Sequence, residues 1–348
     1  MPDYIFAAIV ALGLSVIVTP SVIKLAISTG AVDKPDARKV HKRPIPRIGG
    51  LGIYAAFMLA VAFTTCITPF EGESLRELLG LTVGGTLIVI LGLVDDYKNL
   101  PAKVKLLGQI VAAIVLVVGF NIKIDVLTNP FGGDYIFLDD WIAIPATIFW
   151  IVGLTNTVNL IDGLDGLAAG VSAIASITIL IVALKQNFVL VAILTAALAG
   201  AAIGFLFYNS HPAKIFMGDS GSMFFGFMLA GISVIGALKS TATITLTVPI
   251  LALGLPILDT TFAIVRRYMG GQPIFKPDKG HLHHRLLSLG FTHRQAVFLM
   301  YVISAMLGLS AVALTEVNGQ IAVIILIIVI VCIGYGTKKL GVLRFKRE

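Results

Sequence analysis

An all-α, polytopic membrane fold is predicted by three observations. The chain's 348 residues are 57% hydrophobic and only 13% charged, apolar runs of about twenty residues recur along it, and its basic residues segregate between alternate connections. A helix of roughly twenty apolar residues matches the hydrocarbon thickness of a bilayer. A soluble domain of this length has no need of so much apolar surface.

Apolar runs at 4–24, 48–69, 77–94, 106–121, 141–158, 167–184, 188–207, 221–238, 241–262, 295–314 and 319–336 predict about eleven transmembrane helices. The amino terminus, MPDYIFAAIV, has no basic n-region, and Thr19-Pro20 makes a poor cleavage site, so the first helix is expected to stay as an anchor. Between the fourth and fifth runs, Ile122, Ile124 and Val126 alternate with polar residues. Asn129-Pro130-Phe131-Gly132-Gly133 then supplies a turn and Tyr135-Ile136-Phe137 resumes the pattern, which predicts a small extracytoplasmic β-hairpin. Pro249 and Pro256 predict a broken ninth helix, because proline lacks an amide donor and its ring crowds the preceding turn. No internal repeat is evident.

Placing the amino terminus outside puts twenty-one of the 26 lysines and arginines in inner segments, with Lys24 at an inner helix end, and leaves Arg76, Lys123, Lys185 and Lys239 outside. The carboxyl terminus is then cytoplasmic. The net charge of +7 therefore reads as a topology signal and an attraction for anionic lipid. It is not a nucleic-acid footprint, and no nucleic-acid motif accompanies it. Cys66 and Cys332 lie within apolar runs, which excludes a disulfide framework and thiol metal spacing. A single integral membrane domain over residues 1–348 is expected, its working face built from segments 29–47, 95–105, 156–170, 208–222 and 263–294.

Five aspartates interrupt this apolar pattern at span boundaries: Asp95-Asp96 in GLVDDYKNL, Asp162 and Asp165 in NTVNLIDGLDGLAAG, and Asp219 in IFMGDSGS. Ionisable groups at a membrane boundary are costly unless paired, hydrated or metal-bound. Five carboxylates with no matching set of local lysines suggest a divalent cation. All five fall on the inner side, although they played no part in choosing the orientation.

Adjacent helical residues point about 100° apart, so Asp95 and Asp96 are expected to divide roles. One would face a metal or an acceptor phosphate while the other acts as a base or holds a lysine. A solvated helix end explains the pair equally well. Asp162 and Asp165 share a face if their segment is helical, and Asn156 and Asn159 extend that face into the fifth run. Interhelical hydrogen bonding could account for one asparagine. Asp219 opens the eighth run, where its oxygens could meet a cation bridging phosphates or could cap the helix. Oxygen ligands favour magnesium over zinc.

Gly280-His281-Leu282-His283-His284-Arg285 reads as a clamp for phosphate or sugar in preference to a metal site, since adjacent His283 and His284 are awkward joint ligands. An interfacial amphipathic segment is the plainer alternative. Lys42, Arg43 and Arg47 make the first inner loop suited to an anionic ligand.

HKRPIPRIGGLG, GLVDDYKNL, NTVNLIDGLDGLAAG, YNSHPAKIFMGDSGS and GHLHHRL together resemble the polyprenyl-phosphate N-acetylhexosamine-1-phosphate transferases, glycosyltransferase family 4, across nearly the whole chain. The His-x-His-His spacing resembles the WecA/TagO branch, whereas the related MraY branch has three consecutive histidines. The resemblance implies transfer of GlcNAc-1-phosphate from UDP-GlcNAc to undecaprenyl phosphate with release of UMP and initiation of a cell-envelope glycopolymer. Teichoic acid, a common antigen, a lipopolysaccharide O-antigen or another glycan stays open as its destination.

The resemblance also implies magnesium, with manganese able to replace it, on Asp219. Catalytic roles fall to Asp95, Asp96 and Asp162. Substrate contacts fall to Lys42, Asn156, Asn159, Asp165, Asn209, Phe216, His281, His283, His284 and Arg285, with Phe216 stacking on uracil. Expected partners are UDP-GlcNAc, undecaprenyl phosphate, membrane lipid and, in a homodimer, a second copy of the chain. The expected location is the bacterial cytoplasmic membrane, with the site facing the cytoplasm. Direct attack by the lipid phosphate, aided by Asp95, is expected, and a two-step route through an aspartyl-phosphate stays open.

Three rival classes are weaker. An ion-coupled transporter should bind near the bilayer midplane, whereas these aspartates sit at one face. The motif of the CDP-alcohol phosphatidyltransferases needs an arginine where Gly170 stands. An intramembrane aspartyl protease needs glycine where Phe216 stands. Within the family, an MraY-like phospho-MurNAc-pentapeptide transferase is the alternative activity.

Overall fold

A computed structural model describes residues 1–33, 44–127, 136–239, 247–271, 280–317 and 319–339. Lys42, Arg43, the hairpin turn and the start of the ninth run lie outside the described residues. The first eight runs correspond to α1 (Asp3–Thr29), α2 (Gly49–Ile67), α3 (Gly72–Lys98), α4 (Ala102–Ile114, continued by a wider π-helical turn over Val115–Gly119), α5 (Asp140–Ile161), α6 (Leu167–Lys185), α7 (Val189–Asn209) and α8 (Gly218–Lys239). The ninth run is broken as expected. Its halves are α9 (Thr247–Ala252) and α10 (Gly254–Met269), and Pro256 falls in the first turn of α10, where a missing amide costs little.

The short α11 (Leu282–Ser288) follows, then α12 (His293–Leu314) and α13 (Gly319–Lys339). Among the described residues, nine helices are long and apolar enough to cross a bilayer. The chain is an all-α polytopic membrane protein.

Among the described residues, two small antiparallel pairs accompany the helices. β1 (Val32–Asp33) pairs with β2 (Ile45–Pro46), an element with no sequence signal of its own, and closes the neck of the first basic loop. β3 (Val126–Leu127) pairs with β4 (Ile136–Phe137) in the register Val126 to Phe137, which is the hairpin anticipated from alternation.

α7 and α8 are the interior helices, with α1, α2 and α6 packed around α7 and α3 and α5 against α8. Small residues permit this. A Cβ at Gly200 would lie 2.2 Å from the Ala8 carbonyl and one at Gly204 2.6 Å from the Leu12 carbonyl, so the Gly200-xxx-Gly204 spacing lets α1 and α7 touch backbone to backbone. Ser15 Oγ donates to the Ala201 carbonyl across the same seam at 2.9 Å. Where lipid offers no hydrophobic drive between helices, such packing and hydrogen bonds hold the bundle.

Candidate active site

The site is assembled where α3, α4, α5 and α8 meet at one end of the bundle. Its floor requires an absent side chain: a Cβ at Gly92 would lie 2.3 Å from Ser220 Cα, so α3 and the first turn of α8 are in direct backbone contact. This closeness lets the last turn of α3 reach the amino-terminal end of α8. Asp96 Oδ1 accepts from the Asp219 amide at 2.9 Å, and Oδ2 accepts from the Ser220 amide at 3.2 Å and its hydroxyl at 2.7 Å. Both oxygens of Asp96 thus satisfy amides that a helix start leaves orphaned. The cap comes from another helix, and Asp219 is left available.

Asp95 turns elsewhere, as its neighbouring position on the helix demands. Its Oδ1 accepts from the Leu100 amide at 2.6 Å and its Oδ2 faces Lys105 Nζ at 3.2 Å. The same ammonium lies 2.7 Å from Asp219 Oδ2. Asp219 Oδ1 accepts from Asn159 Nδ2 at 3.2 Å, and that amide also meets Ser222 Oγ at 2.8 Å. Three separate motifs therefore converge within hydrogen-bond reach of Asp219. The expectation that no lysine balances these acids needs correcting, because Lys105, ten residues beyond Asp95, sits between two of them. Arg47 adds a further positive charge, 3.7 Å from Asp96 Oδ1.

Asp162 and Asp165 do not share a helical face. α5 ends at Ile161, the Asp162 amide donates to the Asn159 carbonyl, and Gly166 takes φ +78° before α6 begins. The glycines of DGLDG break the helix and replace it with a turn. Asp162 stays near the acidic group, and burial, followed by the charges of Asp219, Asp96 and Asp165, pushes its carboxyl up to about 7. Asp165 Oδ2 meets His211 Nδ1 at 2.7 Å and accepts from the Ala213 amide at 3.1 Å. Asn209 ties the same turn to the loop before α8, accepting from the Gly166 amide at 3.0 Å and donating to the Ile215 carbonyl at 2.9 Å. Asn156 bridges α5 to α4 through Gln109 Oε1 at 2.6 Å, the interhelical bond allowed for one asparagine. Phe216, half-buried, is fixed through its backbone: its amide donates to Pro46 and its carbonyl accepts from Gly49.

The histidine motif arrives from the far side of the same turn. A Cβ at Gly163 would lie 2.4 Å from His283 Nε2, so the ring rests directly on the DGLD backbone. His281 and His283 are buried and stacked, with ring centroids 5.8 Å apart and planes 9° apart. His284, tilted on His283 at 4.3 Å, is exposed, and Arg285 is partly so. Burial, then the neighbouring His284 charge, drives the His283 imidazole down to about 4. It is therefore neutral near pH 7 and is not one of the positive charges of a clamp.

The motif hangs from Asp259, a buried residue of α10 that sequence reasoning passed over. Its Oδ2 meets His281 Nδ1 at 2.9 Å and its Oδ1 accepts from the Leu282 amide at 2.7 Å, starting α11. A lone carboxylate inside the apolar ninth run was the signal available.

Two groups bear on metal binding. The oxygens of Asp219 and Asp95 are hard donors already drawn toward one cation, which fits magnesium or manganese. Asp165, His211 and His293 also place ligand atoms within 4.8 Å of one another. However, the two imidazoles are stacked at 4.1 Å and 18°, so their in-plane lone pairs run side by side and do not converge on one ion.

A bundle of membrane helices carrying an aspartate-rich junction beside a buried histidine motif defines a polytopic membrane transferase, and the model of glycosyl transferase family 4 matches residues 78–237. The chain belongs to that family and to its WecA/TagO-like branch. It is 43% identical over 327 residues to the probable undecaprenyl-phosphate N-acetylglucosaminyl 1-phosphate transferase of Bacillus subtilis, covering 94% of this chain and 89% of that protein. It is 39% identical to the decaprenyl-phosphate N-acetylglucosaminephosphotransferase of Mycolicibacterium smegmatis, covering 89% of this chain and 82% of that protein. The phospho-N-acetylmuramoyl-pentapeptide-transferase of Halalkalibacterium halodurans is 29% identical over 89% of this chain and 95% of its own length.

Proposed function

We propose that the chain transfers GlcNAc-1-phosphate from UDP-GlcNAc to undecaprenyl phosphate, giving undecaprenyl-diphospho-GlcNAc and UMP. The observation that carries this reading is the convergence of Asp96, Asn159 and Lys105 on Asp219, which joins the three carboxylate motifs, in a chain whose relatives at 43% and 39% identity are named for this chemistry. Segregation of the basic residues supports eleven spans, a site on the cytoplasmic face and residence in the bacterial cytoplasmic membrane.

Both substrates are anionic at the reacting ends, so the dominant problem is repulsion. Asp219, with Asp95 beside it, would hold magnesium or manganese, which when bound offsets charge on the diphosphate and stabilises the charge that develops during transfer. A non-bridging oxygen of the lipid phosphate forms the new bond to the donor's β-phosphorus as the bond to the UMP oxygen breaks. The lipid phosphate is already largely ionised near neutral pH, so Asp95 serves mainly to position it beside the metal.

Asp96 acts as a positioning residue, because both its oxygens are committed to the start of α8. The neutral His283, resting on the DGLD turn that carries Asp162, offers hydrogen bonds to the donor's phosphate or sugar. The purified protein with magnesium and undecaprenyl phosphate is expected to use UDP-GlcNAc in preference to UDP-GalNAc and UDP-MurNAc-pentapeptide. Preference for the pentapeptide donor would move it to the other branch, and lipid product from none of the three would overturn the transferase reading.

A further inference from the structure

The two carboxylates flanking Lys105 share one design. In each, one oxygen is fixed by an amide: Asp219 Oδ1 by Asn159 at 3.2 Å, and Asp95 Oδ1 by Leu100 at 2.6 Å. The other oxygen of each faces the single ammonium, at 2.7 Å from Asp219 and 3.2 Å from Asp95. A magnesium ion binds a carboxylate oxygen at about 2.1 Å and demands near-octahedral geometry. An ion on Asp219 Oδ2 therefore claims the space and the charge that the ammonium holds. Two cations cannot share that oxygen closely without strong repulsion in a partly buried site. Lys105 stands in the first turn of α4 on a flexible four-carbon stem, and its side chain keeps 26% of its exposure, so it has somewhere to go.

We propose that Lys105 is a displaceable counter-ion: it pairs with both Asp95 and Asp219 while no metal is bound, and leaves them when a divalent cation binds Asp219. This rests on the assignment of Asp219 as metal ligand. The consequence is a site that binds its metal less tightly than its two carboxylates alone would, and that releases an ammonium whenever the metal enters.

Detergent-solubilised full-length protein titrated with Mn2+, with free metal followed by electron paramagnetic resonance, tests this without any turnover. Lys105→Met is expected to bind Mn2+ at least tenfold more tightly than wild type, and Lys105→Arg, which retains the charge, is not. Equal or weaker binding by Lys105→Met would overturn the proposal. In wild type, saturating Mg2+ is expected to raise the rate of Lys105 acetylation, read by mass spectrometry, several-fold, while Asp219→Asn shows no such rise. An unchanged or slower rate in wild type would overturn it without any variant having to fold. If metal binding is unaffected by Asp219→Asn, the metal assignment itself fails, an outcome separate from Asp219-dependent binding that ignores Lys105.

Discussion

Asp259 on α10 and Asp219 on α8 are both carboxylates carried by helices of the bundle, yet they are used in opposite ways. Asp259 commits one oxygen to a backbone amide and the other to an imidazole held between helices. Asp96 is committed in the same manner, to two amides and a hydroxyl. Asp219 and Asp95 each keep one oxygen facing a lysine on a flexible stem. A carboxylate saturated by the backbone fixes the position of something else, because removing it strands buried donors. One balanced by a mobile ammonium is available for exchange. On the proposed mechanism, the contrast separates residues that build this site from residues that act in it.

The contrast can be broken at three points. The largest effect is expected at Asp219: Asp219→Asn should lower turnover by about a thousandfold, comparable with the loss of a principal charge-stabilising group, with little change in thermal stability. Turnover close to wild type across a magnesium titration would return Asp219 to a structural role.

His283 should show itself through pH. Its imidazole is held at about 4 against an ordinary value of 6.5, so the unfolded chain binds a proton that the native protein refuses between those limits. Stability contributed by the neutral ring is full above pH 6.5 and is lost as pH falls toward 4, by at most about 3 kcal/mol. In unfolding scans across that window, His283→Gln should lose less stability on acidification than wild type. Parallel curves would contradict the assignment.

Asp259→Asn should reduce kcat/KM by roughly 10- to 100-fold, as is typical when the group orienting an active-site imidazole is weakened, and should lower the melting temperature as well. That double signature, against the activity-only signature of Asp219→Asn, is what the contrast requires. An Asp259→Asn enzyme that is less active but equally stable would place Asp259 among the acting residues.

The helices were legible because lipid imposes a simple rule on each segment, and the aspartate motifs because charge in an apolar run stands out. Which oxygen meets which partner was not. Asp96 capping α8 depends on Gly92 admitting the backbone of Ser220, a contact between segments more than a hundred residues apart. Lys105 looked like one basic loop residue among many, since its reach back to Asp95 and across to Asp219 exists only once α3, α4 and α8 are packed. The DGLDG segment carried the helical spacing that suggested a shared face, yet its two glycines end the helix instead. Asp259 was visible as a lone acid, but its purpose was not, because His281 lies 22 residues away across a connection with no periodic pattern.

The central claim is that a phosphoryl group with its sugar moves from the nucleotide to the lipid at the Asp219 junction. UDP-GlcNAc labelled with radioactive phosphorus at the β-position tests it most directly, using purified protein, undecaprenyl phosphate and magnesium. The account predicts that the label enters the organic phase in step with UMP formation, and that both stop in Asp219→Asn. Label that stays in water as free GlcNAc-1-phosphate or UDP-GlcNAc, or organic-phase label that persists in Asp219→Asn, would contradict it.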